Sequence, residues 1–70
     1  MKKYGNGAKV GNITVFSQEG AVKAYVIFCE IFNREMTMEA SVVASKAAND
    51  MHNLGFTWDE IEKIEISTLQ

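Results

Sequence analysis

The chain has 70 residues, with seven Lys and Arg against nine Asp and Glu, a net charge of −2. A chain this short makes one small domain that buries only about 60% of its unfolded surface. One Cys and one His exclude an internal disulfide and a Cys/His zinc cluster. The mild acidity lacks the positive excess of a strong nucleic-acid binder. No segment approaches the roughly 18 apolar residues of a membrane span.

Residues 1–9 carry Lys2, Lys3 and Lys9 with two glycines and read as a flexible basic N-terminal tail. No apolar stretch follows the lysines, so no signal peptide is expected. Tyr4-Gly5-Asn6-Gly7 resembles part of the N-terminal box of pediocin-like bacteriocins. That family is secreted and cationic and continues the box into a Cys pair. Here Val10 is followed by Gly11, and the only Cys is Cys29, so the match reads as coincidence. The glycines also miss phosphate-loop spacing and precede a strand rather than follow one.

Val10 to Gln18 reads as a first strand, and Gln18-Glu19-Gly20 as a turn. The run Ala21 to Phe32 is long, β-branched and aromatic, and reads as a second strand. Val22, Ala24, Val26 and Phe28 would share one face, and Tyr25, Ile27, Cys29 and Ile31 the other. Both faces are apolar.

Thr37 is an N-cap for a helix over about 38–54, with Glu39 in its first turn. Ala40, Val43, Ala44, Ala47, Met51 and Leu54 form its core stripe, and Ser45, Lys46, Asn49, Asp50 and Asn53 its wet side. Gly55 suits a left-handed C′ position, with Phe56 at C″ touching Met51. Thr57 and Glu60 have capping-box spacing, and Phe56 and Ile61 that of a hydrophobic staple. One short turn is expected there. Ile64 to Leu69 alternates and reads as a last strand.

The expected fold is therefore α+β, in the order β-β-α-β, one domain over residues 10–70. A three-stranded antiparallel sheet in order 2-1-3 would pack one helix on one face. The alternative order 1-2-3 would bury the apolar strand centrally. In order 2-1-3 that strand lies on an edge, and two copies could join there into a six-stranded sheet.

No catalytic, cofactor or metal site is expected. Cys29, the one thiol, sits among apolar residues that would keep it inert, and His52 suits a helix C-terminus. The acidic residues Asp59, Glu60, Glu62 and Glu65 read as a solvated face or a steering patch for a basic partner. Tyr25, Ile27, Ile31, Phe32, Arg34 and Met36 are candidate partner-binding residues, with aromatic and Met anchors. Phe16, Phe28 and Trp58 read as core.

These features point to a non-catalytic protein-binding module in a reducing, cytoplasmic setting, acting as a homodimer through the 21–32 strand or on a larger protein. In size, cytoplasmic character and lack of catalytic groups the chain resembles the small accessory and inhibitor proteins of phages and mobile elements, anti-CRISPR proteins among them. The alternative is a nucleic-acid module using the sheet face with Lys2, Lys3, Lys9, Lys23 and Arg34.

Overall fold

The computed structural model describes residues 7–69, and among these the protein forms three helices and one minimal hairpin. The order is β1 (Lys9–Val10), β2 (Ile13–Thr14), α1 (Gln18–Glu35), α2 (Met38–Asn53) and α3 (Trp58–Thr68). This overturns the expected β-β-α-β order and the 2-1-3 sheet, and with them the strand edge through which a dimer would pair. The only sheet among the described residues is the two-stranded antiparallel β1–β2. Of the expected tail, residues 1–6 lie outside the described residues, as does most of the Tyr4-Gly5-Asn6-Gly7 motif. Lys9 pairs with Thr14, and the Ala8 carbonyl accepts the Val15 N–H at 2.9 Å.

The run 21–32 is helical because its burial follows a helical period. Ala21, Ala24, Tyr25, Phe28 and Cys29 are the buried residues of α1, at the i, i+3, i+4, i+7, i+8 spacing of an amphipathic helix. Ser17 caps it, its Oγ accepting the Gly20 N–H at 3.0 Å, and Glu19 lies in the first turn. The expected turn at residues 18–20 is thus the first turn of a helix. Val22, Val26, Ile27 and Ile31 lower helix propensity by about 0.5 kcal/mol each. Burying Tyr25 and Phe28 alone is worth about 1.5–3 kcal/mol apiece, so packing decides. The helix ends at Met36, which adopts a left-handed φ of 54° while its N–H bonds to the Phe32 carbonyl.

α2 agrees closely with expectation. Thr37 caps it, its Oγ1 accepting the Ala40 N–H at 3.1 Å. At its end the Phe56 N–H reaches the Met51 carbonyl and the Gly55 N–H that of His52. With Gly55 at φ 107°, this is a Schellman termination. Ala40, Ala47 and Met51 are buried, and the alanines let α2 lie close against α1. Val43 is partly exposed instead of in the core.

The capping box at Thr57 and Glu60 is present in both directions, and Phe56 and Ile61 are both buried. These signals open a helix of 11 residues, not one turn. Ile61 is buried and Ile64 packs against the core, one helical turn apart, whereas Ile66 is exposed. The alternation that suggested a strand over residues 64–69 is therefore incidental.

Beneath the helices, the hairpin closes the side of the core formed by α1 and the C-terminal half of α2. Its two-residue loop has Gly11 at φ +63°, the positive value that a type II′ turn needs at its first central position. The Gly11 N–H donates to Asp50 Oδ2 at 2.9 Å, which draws Asp50 away from the purely wet role expected of it. Val10, Val15, Tyr25, Met51, Phe56 and Ile61 belong to one buried cluster. Phe16 and Trp58, expected in the core, are 74% and 52% exposed.

Candidate functional site

α1 is the central support: α2 and α3 both pack on it and touch each other only sparsely. α2 and α3 are close at their connecting turn, where Phe56 and Ile61 are buried. Toward the other end they leave a groove of about 470 Å³. Its floor is α1, through Tyr25, Cys29, Phe32 and Asn33, with Met36 at the end of that helix. One wall is Ser41, Ala44, Ser45 and Ala48 of α2, and the other is Glu65, Thr68 and Leu69.

Polar bonds hold the α3 wall. The Tyr25 hydroxyl donates to Glu65 Oε2 at 2.7 Å. Two turns further along α1, the Asn33 amide donates to Thr68 Oγ1 at 3.1 Å, and that hydroxyl donates to the Glu65 carbonyl at 2.7 Å. Burial, then the bond to Glu65, raises the Tyr25 phenol above its ordinary range, so it stays a protonated donor at neutral pH. The Cys29 thiol is also pushed up, mainly by burial, against an opposing hydrogen bond from Tyr25. That keeps it a neutral, poorly nucleophilic part of the floor.

The α2 wall is of a different kind. Ser41, Ala44, Ser45 and Ala48 follow one another at helical spacing, so they form a shallow stripe along one face. Nothing larger than a hydroxymethyl projects from it. At the rim, Met36 and Leu69 are 69% and 70% exposed. Met36 combines this exposure with its left-handed φ of 54°, a conformation that costs an L-residue about 1–2 kcal/mol.

Four of the expected partner-binding residues meet here: Tyr25 and Phe32 in the floor, Met36 at the end and Glu65 in the wall. Tyr25 is buried and Phe32 half-buried. Ile27, Ile31, Arg34, Asp59, Glu60 and Glu62 do not line the groove. Ile27 is exposed elsewhere on α1, and Arg34 pairs at 3.7 Å with Glu35. Glu60 is engaged in the Thr57 capping box. Asn33, Ser41, Ala44, Ser45, Ala48, Thr68 and Leu69 were not anticipated as site residues. The sequence signal for the α2 wall is a Ser/Ala stripe at helical spacing beside the Ala40–Ala47–Met51 core line.

His52 stacks on Trp58 with ring centroids 4.3 Å apart, and its Nδ1 lies 3.0 Å from the Phe56 carbonyl oxygen. Both rings are thereby engaged with the α2–α3 connection. Among the described residues no group of three His, Cys, Asp or Glu side chains gathers to hold a metal. No described helix is long and apolar enough to cross a membrane. No protein-family model, curated protein or solved structure is significantly similar to the chain.

Proposed function

We propose that this protein is a non-catalytic protein-binding module whose docking surface is the groove between α2 and α3. The observation that carries the reading is an open, largely apolar trough across the three helices. Its exposed Met36 and Leu69 stand at the rim. Helical walls and a helical floor suit a helix laid into a groove. β-Strand addition is poorly served, since each strand is two residues long.

Homodimerisation by pairing the 21–32 segment edge to edge loses its basis, because that segment is helix α1. The nucleic-acid alternative loses the sheet face on which bases would stack, and among the described residues no Lys or Arg lines the groove. A role as a small phage or mobile-element inhibitor is compatible with a docking module, but nothing in the groove is specific to it.

The test is a displayed library of helical peptides sorted on the wild-type protein and then presented with Ser45→Trp, which sets an indole in the groove. Ser45 is exposed, so helix α2 tolerates the change, as circular dichroism would verify; Ser41→Trp, on the same wall, asks the same question. Selected peptides are expected to lose at least tenfold in affinity for the filled groove. Peptides indifferent to both substitutions, or no binders at all, would contradict the reading.

A further inference from the structure

Among the described residues, the groove lining holds a single acidic side chain and no cation. Glu65 stands in its α3 wall, and the remaining lining is apolar, small or neutral. The Tyr25 hydroxyl engages Oε2 of that carboxylate at 2.7 Å. This fixes the group's position without neutralising it, since the donor is an uncharged phenol. Neither ion pair among the described residues involves Glu65. Oε1 has no protein donor among those residues either. Such a carboxylate is a ready acceptor for a charge-assisted hydrogen bond.

Building on the docking reading above, we infer that the occupant is an amphipathic helix of another protein that places an Arg or Lys opposite Glu65. The small α2 wall determines the rest of its character. Ser41, Ala44, Ser45 and Ala48 allow a close helix approach and contribute little bulk of their own, so the partner supplies it. Its groove-facing positions at i, i+3, i+4 and i+7 would be Leu, Met or aromatic, with the basic residue at the edge of that stripe facing α3. The partner is thus apolar along one line and cationic on its flank, complementary to a chain of net charge −2. Tyr25 acts as a positioning residue: it orients the carboxylate from below.

The same peptide library supplies the test. Glu65→Gln keeps an acceptor for the Tyr25 hydroxyl and removes only the charge, so the wall is preserved. Selected peptides are expected to be enriched in Arg or Lys at one flanking position. They should weaken about three- to tenfold on Glu65→Gln, and the loss should vanish for peptides in which that residue is replaced by Gln. Raising the salt concentration should weaken the parent pair and leave the doubly neutral pair almost unchanged. Peptides blocked by Ser45→Trp but indifferent to Glu65→Gln, with no basic enrichment, would overturn this inference and leave the groove itself standing. Peptides indifferent to Ser45→Trp would overturn the docking reading beneath it. A mass that doubles with concentration in the wild type but not in Ser45→Trp would overturn the inference of a different protein, naming a second copy as occupant.

Discussion

Replacing Gly11 with Ala should be among the most damaging single-methyl additions to this protein. Gly11 sits at φ +63°, and an added Cβ would stand 2.6 Å from both Cε2 and Cζ of Phe28. The backbone conformation costs an L-residue about 1–2 kcal/mol. The collision adds about 1–3 kcal/mol, typical of overpacking, because Phe28 is buried and cannot swing freely into solvent. The sum is about 2–5 kcal/mol, against roughly 3.5–10 kcal/mol expected for the whole domain. Urea unfolding followed by helical circular dichroism should show the loss, and Tm should fall by at least about 10 °C. The two causes separate in a double-mutant cycle. In a Phe28→Leu background the crowding atoms are gone and only the backbone cost remains, giving a coupling of about 1–3 kcal/mol. A Gly11→Ala variant within about 0.5 kcal/mol of wild type, or an equal cost in both backgrounds, would refute the reasoning.

Thr57→Ala removes the capping hydroxyl from α3 and should cost about 1 kcal/mol in urea unfolding; no change would mean the box is ornamental. Asp50→Ala deletes the acceptor of the Gly11 N–H and should cost about 1–2 kcal/mol, whereas Asp50→Asn, which keeps an acceptor, should recover most of it. Tyr25 and Cys29 are both raised above their ordinary values of 10.0 and 9.0, chiefly by burial. Both are neutral when protonated, so above those values the unfolded chain releases protons that the folded chain retains. Their contribution is therefore intact below pH 9 and lost as pH rises, at up to about 1.4 kcal/mol per pH unit for each group. Cys29→Ala should flatten stability between pH 9 and 10 relative to wild type, and parallel curves would count against the assignment. Removing the His52 ring with His52→Ala should uncover Trp58, the only Trp, and shift its emission to the red; an unchanged spectrum would argue against the stack.

Where local chemistry was unambiguous, the sequence was legible. The Thr37 cap, the Gly55–Phe56 termination and the Thr57–Glu60 box need only residues a few positions apart, and each occurs as read. The long apolar run looks like a strand by β-branched propensity, but its period is helical. Ala21, Ala24, Tyr25, Phe28 and Cys29 already carry the helical spacing, and an apolar run of this length favours a helix over a strand. Ile64 and Ile66 misled in the same way: two alternating residues cannot distinguish a strand from a helix whose second Ile faces water. The groove was only partly visible. Tyr25, Phe32, Met36 and Glu65 drew notice as aromatic, flexible or charged residues. Their meeting depends on how far α2 and α3 diverge across α1, and no local signal encodes that angle. Of the α2 wall, Ala44 fits the core stripe and Ser45 the wet side in sequence, while Ser41 and Ala48 carry no signal of either kind, because small residues at a half-covered position look like neither.

The most direct test of the docking groove is an amide chemical-shift map of the 15N-labelled protein titrated with a library-selected helical peptide. The groove account predicts that the largest shifts fall on Phe32, Met36, Ser41, Ala44, Ser45, Ala48, Thr68 and Leu69. Strong shifts confined to the Gly11 hairpin, or to the Asp59–Glu62 face with the groove silent, would contradict it.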